Sequence, residues 1–315
     1  MRQIRSYQFK ALTGLLALSA AGFVSAEEAS TWFSPEKFSA SASLGALSGE
    51  TKERVYSTGG KEKISQLDWK YSNAAIVKGR LEWEPIEWVT LGASGWTTLA
   101  GKGGEMNDYD WLNKDNNALS HYSHHPDTRL NFANEYDLNV TGWIVNEPDW
   151  RVGVMAGYQE SRYSFTAKGG TFRYDNGATT GSFNDGVAVI GYKQRYRTPY
   201  IGLTGRYRYE NYEIDGAFKY SGWVHSSDND EHYLKTTTYT ADVHNQNFYA
   251  LSGNVGYYIT PNTKLFMEGV WSRTTNKKGD TQLNNYDQNI HLSAAKRSGI
   301  ENNNVMLTTG VKYIF

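Results

Sequence analysis

Residues 150–159 read WRVGVMAGYQ, a stretch in which apolar side chains occupy the even positions and mostly small or polar side chains the odd ones. The alternation recurs in residues 89–99 (VTLGASGWTTL) and in residues 305–315 (VMLTTGVKYIF). Because successive side chains of a β-strand point to opposite faces, this period of two gathers the apolar residues on one face of a sheet. Repeated in strand after strand, the pattern is typical of a transmembrane β-barrel, whose outer wall contacts lipid and whose inside is polar.

The connections between these segments indicate how many strands the barrel has. Short turn signals lie at residues 84–87, 146–149, 210–212 and 260–262, and longer polar stretches lie near residues 54–63, 101–127, 168–186, 226–245 and 275–301. Four turns and five loops predict an all-β fold, a ten-stranded antiparallel transmembrane β-barrel with its short turns in the periplasm. The strands exceed the roughly 10 residues that a bilayer requires, so we expect the barrel to extend above the outer leaflet.

The first 26 residues have the pattern of a secretory signal peptide. Three basic residues precede an apolar segment at 11–24, which is too short to be a stable membrane span, and residues 24–26 offer a cleavage site. We therefore expect residues 27–315 to form a single barrel domain in the outer membrane of a Gram-negative bacterium. No later run of 18 apolar residues predicts a transmembrane helix.

Composition excludes some partners. The chain has 32 Lys and Arg against 33 Asp and Glu, so it lacks the basic excess that favours nucleic acid. There is no cysteine, and the neighbouring His121, His124 and His125 lack the carboxylate that would complete a recognisable zinc motif. We therefore predict no metal and no cofactor.

Two acidic clusters near the predicted outer rim could carry chemistry. Asp108 and Asp110 follow the third strand, whose alternation places both carboxylates in the lumen, and Asp230 lies two residues before His232. A carboxylate beside a histidine favours the protonated ring and fixes its tautomer, whereas two close carboxylates can hold a water molecule. The clusters thus suggest a base that faces a water site across a groove. The alternative is that these residues are solvated loop side chains, or that they bridge divalent cations between lipopolysaccharide molecules.

The parity of the seventh strand conflicts with this arrangement. Its outward set contains Ile214, Phe218, Tyr220 and Val224, and the same parity would carry Asp230 and His232 outward. A β-bulge adds one residue and so exchanges the two faces. We therefore predict a bulge near residues 226–227.

A group of charged residues follows the outward face of two neighbouring strands. These are Tyr158, Glu160 and Arg162 of the fifth strand and Arg195 and Arg197 of the sixth. Charges are unfavourable beside hydrocarbon but suit the headgroup level, where arginine can bind a phosphate with two hydrogen bonds. The pattern favours a site for lipid A phosphates, and the alternative is simple snorkelling of long side chains at the rim.

Long motifs throughout the mature chain resemble the omptin family of outer-membrane proteases. They include QLDWK at 66–70, GWTT at 95–98, HPDT at 125–128, AGYQESR at 156–162, YKQR at 192–195, DNDEHY at 228–233 and GIEN at 299–302. The resemblance implies an aspartic-type endopeptidase in which Asp230 and His232 form a catalytic dyad that faces Asp108 and Asp110. Water, activated by His232, would be the nucleophile.

The resemblance also implies specificity and activation. Glu53 and Asp228 match the family's acidic pocket, which selects Arg or Lys, and members typically cut between paired basic residues. The alternation of the first strand independently predicts that Glu53 points into the lumen. Family members require lipopolysaccharide, and Tyr158, Glu160, Arg162 and Arg195 match the lipid A site. One departure is His244, where the family often has Lys, and a neutral histidine would bind phosphate less well.

Three functions follow as alternatives. The first is an endopeptidase that cuts basic peptides or host proteins at the cell surface. The second is a non-enzymatic surface adhesin or invasin. The third is a structural or pore-forming barrel, although ten strands lie close to the eight-stranded limit at which side chains fill the lumen.

Overall fold

The computed structural model describes residues 38–113 and 118–315, and nearly all of them form one antiparallel sheet. The predicted signal peptide, residues 1–26, lies outside the described residues. Within the described ranges, no helix is long and apolar enough to cross a membrane.

The sheet contains eleven β-strands in chain order. They are β1 (Phe38–Tyr56), β2 (Lys63–Ile86), β3 (Val89–Thr98), β4 (Lys102–Asp110), β5 (His121–Asn146), β6 (Trp150–Tyr174), β7 (Thr179–Tyr209), β8 (Tyr212–His232), β9 (Thr237–Thr260), β10 (Thr263–Asn285) and β11 (Ile290–Ile314). Single turns of 3-10 helix occupy Thr58–Gly60, Asp175–Gly177 and Tyr233–Lys235.

The strands close into a ring. Apart from β3 and β4, the strands pair with their neighbours in the chain, and β1 pairs with both β2 and β11. Both β3 and β4 pair with β2 on one side and with β5 on the other, so they are two halves of one strand interrupted at residues 99–101. The barrel therefore has ten strand positions, which confirms the predicted fold class. Closure leaves no unpaired sheet edge among the described strands, as a membrane requires.

The four short turns lie where the sequence predicted them, but the five long loops were wrong in extent. Most residues of the predicted loop at 168–186, for example, continue β6 and β7, and only residues 175–178 connect the two strands. The reason is that the strand ends rise above the lipid. Neither face needs to be apolar there, so the alternation that marks a strand in the sequence disappears.

The outer wall carries an apolar band bounded by aromatic side chains. Large apolar residues stay exposed on the outer face, among them Leu81, Leu138, Val154, Ile201, Leu203, Leu251, Val255, Met267 and Leu307. Exposed aromatic residues flank the short turns, including Trp88, Trp150, Tyr209, Tyr212 and Phe315. A lipid-facing band with an aromatic border is the expected surface of an outer-membrane barrel.

Side chains fill the lumen. Above the level of the band, Trp69 packs between Tyr192 at a ring distance of 5.2 Å and Phe165 at 5.5 Å. Lower down, ion pairs cross the interior, such as Lys219 Nζ to Asp137 Oδ2 at 2.7 Å. A cavity of about 150 Å³ lies among these polar residues. The packed interior supports the rim from below, and it agrees with the small strand number.

Candidate active site

A bulge in β8 turns the acidic cluster of this strand into the lumen. Between Ser221 and Val224, β8 has one residue more than its partner β9, and the β7–β8 register shifts at the same level. Below this point the exposed residues include Ile214 and Phe218, whereas Val224 is fully buried. The predicted bulge is thus confirmed but lies at residues 222–223 rather than 226–227. The assignment of Val224 to the outer face was wrong because the bulge precedes it.

His232 and Asp230 form a close pair at the top of β8. His232 Nε2 lies 2.7 Å from Asp230 Oδ2, and the Asp230 side chain is almost completely buried. Burial lowers the pKa of His232, but the charge of Asp230 and the hydrogen bond to it outweigh this effect, so the pKa is raised overall. Because Nε2 donates to the carboxylate, Nδ1 is the ring nitrogen that remains to accept a proton.

Asp108 and Asp110 lie on β4 and interact with this pair. Burial, followed by repulsion from Asp110, raises the pKa of Asp108 to about 8, while attraction to His232 opposes the rise. Burial also raises the pKa of Asp110, and a hydrogen bond from Ser65 partly offsets it. Both shifts favour the protonated form of the carboxyl groups, as expected where two carboxyl groups lie together under low solvent exposure.

Two oxygens of this group are buried without a hydrogen-bond partner among the described residues. They are Asp108 Oδ1 and Asp230 Oδ1, one on each side of the site. Buried acceptors are nearly always satisfied in folded proteins, so exceptions point to a function. A solvent molecule or a substrate amide bound between the two pairs would supply the missing donors.

An acidic recess adjoins the dyad. The Glu53 side chain, on β1, and Asp228, on β8, are both buried, which confirms that Glu53 points into the lumen. Burial raises the pKa of Asp228 to about 7, with a further contribution from Asp230. Burial raises the pKa of Glu53 well above its ordinary value, and Asp230 is the strongest of its charged neighbours. Glu53 Oε2 has no hydrogen-bond partner in the described chain.

Sequence reasoning missed the residues that hold this recess in place. Asp228 Oδ1 accepts a hydrogen bond from the Ala241 backbone N–H at 2.6 Å, and Asp228 Oδ2 accepts one from the Tyr192 hydroxyl at 3.1 Å. The Tyr192 hydroxyl in turn accepts from Gln194 Nε2 at 2.6 Å, and Gln194 Oε1 accepts from Tyr196 at 2.7 Å. The sequence does contain a signal for them, because Tyr192, Gln194 and Tyr196 alternate along β7 and therefore share one face of the strand.

The predicted outer-wall cluster is also brought together. Glu160, with only 2% of its side chain exposed, accepts a hydrogen bond from Arg162 Nε at 2.7 Å and one from Arg195 at 2.7 Å. Arg197 lies 3.9 Å from the same carboxylate. Arg195 Nε is buried and has no partner among the described residues. The ring of Tyr158 lies 6.3 Å from that of Tyr136 and is tilted to it by 42°, and the Tyr136 hydroxyl lies 3.4 Å from Glu160 Oε2. One carboxylate therefore orients three guanidinium groups on the outer face.

Four further histidines bear on metal or phosphate binding, namely His121, His124 and His125 at the start of β5 and His244 on β9. His124 contacts Asn107, and His125 is buried between Ser123 and the Gly169 carbonyl, so the predicted His121–His125 run shares no common ligand position. His244 lies on the outward face of β9, with Nε2 2.7 Å from Asp242 Oδ1.

Comparisons with known proteins show which family and fold the chain resembles. A model of the omptin family matches residues 34–315. Outer membrane protease OmpP of Escherichia coli (strain K12) is 55% identical over 313 residues, which cover 96% of this chain and 99% of that protein. Protease 7 of the same strain is 52% identical over 312 residues, which cover 96% and 97%. The crystal structure of outer membrane protease OmpT from Escherichia coli matches with a TM-score of 0.87 at 53% identity, covering 92% of this chain and 99% of that one.

The raised pKa of His232 can be tested directly. We expect its ring to titrate above the ordinary histidine value of about 6.5, because Asp230 stabilises the protonated form. In Asp230→Asn this attraction is lost and burial dominates, so the titration midpoint should fall. NMR of selectively labelled histidine in detergent micelles measures both midpoints, with exposed His291 as the internal reference. An identical His232 midpoint in the two proteins would contradict the pairing.

Proposed function

This chain belongs to the omptin family of outer-membrane proteases, and we propose that it cleaves peptides beside basic residues with a water molecule activated by His232 and Asp230. The observation that carries the proposal is the short contact between His232 Nε2 and Asp230 Oδ2, in electrostatic contact with Asp108. The chain has no cysteine, so a thiolate nucleophile is excluded by composition.

The reaction is a hydrolysis in which the proton moves through His232. Neutral His232 accepts a proton at Nδ1 from water, and the water oxygen attacks the scissile carbonyl carbon. Asp230 stabilises the imidazolium that forms. Asp108 and Asp110 position the water, and the protonated Asp108 can donate a hydrogen bond within the site. The tetrahedral intermediate collapses as the C–N bond breaks, and His232 returns its proton to the leaving amine.

The acidic recess provides the specificity. Glu53 and Asp228 lie next to the dyad, and both carboxyl groups are buried in a region with several other carboxylates. An arginine or lysine side chain of the substrate brings a positive charge that relieves this repulsion and supplies donors to Glu53 Oε2. A neutral side chain would leave the acceptors without partners, so basic substrates, and paired basic sites above all, are favoured.

Lipopolysaccharide is the proposed activator and cofactor-like partner. Arg162 and Arg195 are held side by side by Glu160, and their side chains are 47% and 39% exposed, which leaves donors for a phosphate group. Because Arg195 lies on β7, which pairs with the site-bearing end of β8, a phosphate bound there would order the strand next to the dyad. Activation is then a local ordering of the rim.

Removing the dyad should abolish cleavage without unfolding the barrel. We expect His232→Ala and Asp230→Ala to lower kcat on a dibasic fluorogenic peptide by about 100-fold or more, as loss of a general base does.

In the unmodified enzyme, kcat should fall in acid as pH drops through the raised pKa of His232, because the protonated ring cannot act as a base. Steady-state kinetics in lipopolysaccharide-containing micelles measures the kcat of the variants and the pH profile of the unmodified enzyme. His291→Ala is the control variant. A flat profile between pH 5 and 8 would exclude the base role.

Neutralising the recess should change substrate choice more than turnover. Glu53→Gln and Asp228→Asn retain the shape of the side chains but remove the charge, so we expect kcat/KM for arginine substrates to fall roughly 30-fold or more. Cleavage of a matched substrate with a neutral residue at that position should change little. Glu62→Gln, at an exposed acidic residue outside the recess, serves as the control. Equal losses for both substrates would show that the recess does not select charge.

Lipopolysaccharide activation should depend on the outer-wall arginines. The double variant Arg162→Ala plus Arg195→Ala removes two exposed guanidinium groups, and we expect it to lose activation while remaining a folded barrel. Arg273→Ala removes an arginine of similar exposure that pairs with Glu301 instead, and it should be activated normally. Activity measured with and without added lipopolysaccharide distinguishes the variants. Full activation of the double variant would remove these arginines from the lipid site.

A further inference from the structure

Three outward side chains at the β8–β9 junction bring metal-ligating atoms together. His225 Nε2 lies 3.0 Å from Asp242 Oδ1, and His244 Nε2 lies 2.7 Å from the same oxygen. The three ligand atoms all lie within 4.8 Å of one another. The cluster is on the outer wall, whereas Asp230 and His232 face the lumen, so it is separate from the catalytic site.

We propose that His225, Asp242 and His244 form a binding site for a divalent transition metal ion such as zinc. Two imidazole nitrogens and one carboxylate oxygen are a common donor set for zinc, and three protein ligands leave the fourth tetrahedral position to solvent. At zinc bond lengths, neighbouring ligand atoms of a tetrahedral site lie roughly 3.3 Å apart. The separations of 3.0 Å and 2.7 Å between the histidine nitrogens and the Asp242 oxygen therefore need to open by only a few tenths of an ångström to admit the ion.

The backbone prearranges the two histidines. From Val224 to Ser226, β8 advances two residues while β9 advances three, so His225 lies opposite a bulge that contains His244. Asn245, the next residue of the bulge, has a φ of 56°, a left-handed conformation that asparagine tolerates better than most residues. The two imidazole rings stack at 4.1 Å with an interplanar angle of 18°. Both Nε2 atoms consequently reach one carboxylate oxygen.

The side chains can adjust to the ion. Asp242 and His244 are 55% and 63% exposed, so small rotations bring their atoms to bonding distance without repacking of the wall. His225 must carry its proton on Nδ1 to bind through Nε2, which requires Arg197 to leave its 3.3 Å contact with Nδ1. Arg197 is itself partly exposed and already lies 3.9 Å from Glu160, an alternative partner for the guanidinium group.

The test is a zinc titration of the full mature chain, without a histidine tag, in chelator-treated micelles. The titration uses a His232→Ala background, so that the rim imidazole cannot compete for the ion. We expect one equivalent of Zn²⁺ to bind, and Co²⁺ in its place to give the intense visible absorption of a tetrahedral site. Asp242→Asn and His244→Ala should each weaken zinc binding at least about tenfold, since even residues outside the ligand shell often contribute that much.

His291→Ala removes an exposed histidine elsewhere on the barrel and should leave the zinc affinity unchanged. Because the three proposed ligands are side chains on the surface, folding of each variant is checked by the heat-dependent gel shift of an intact barrel. Equal zinc binding by the parent and the folded His244→Ala variant, or the absence of any bound zinc in the parent, would overturn the proposal.

Discussion

One additional residue in β8 determines where the site side chains point. The barrel exposes a hydrocarbon-facing surface below and a polar mouth above, and strict alternation along β8 would have placed Asp230 and His232 outside. The bulge at residues 222–223 exchanges the two faces of β8 between these levels. Below the bulge the apolar side chains of β8 face the lipid, and above it the acidic side chains of the site face the lumen. A closed sheet tolerates this local irregularity because the neighbouring strands β7 and β9 hold both sides of it.

The consequence of turning these residues inward is a concentration of buried acid. Glu53, Asp108, Asp228 and Asp230 lie in one narrow mouth, and their mutual repulsion and low exposure raise several pKa values. This arrangement opposes folding, and the packed stack of Trp69 and Tyr192 below it helps to keep it in place. A positive charge reduces the repulsion among these carboxyl groups, so the site is well matched to a cationic substrate.

The sequence predicts the features that depend on period and on short turns. The inward direction of Glu53 follows from alternation, whereas the ten strand positions and the four turns follow from the turn signals and the polar stretches between the alternating segments. The strand ends above the lipid were not predictable, since polar residues on both faces leave no period to detect. The exact place of the bulge was missed by a few residues because a small polar pair at 226–227 signals a bulge no better than Gly222 does.

Features that need the register of two strands were beyond the sequence. Asp228 is held by Tyr192 of β7 and by the backbone of Ala241 in β9, contacts that separate elements provide. The meeting of His225 with Asp242 and His244 depends likewise on unequal residue counts in β8 and β9. Without the pairing of these strands, nothing in the sequence distinguishes His244 from the other histidines.

The central claim is that the imidazole–carboxylate pair and the two facing carboxyl groups share one solvent molecule under the scissile bond. A crystal structure of the protein with a dibasic peptide, its scissile amide replaced by a methylene amine, tests this most directly. We expect a solvent oxygen about 2.6–3.2 Å from His232 Nδ1 and also within reach of the Asp108 or Asp110 carboxyl group. A peptide backbone seated against a protein hydroxyl, with no solvent common to the two sides, would contradict it.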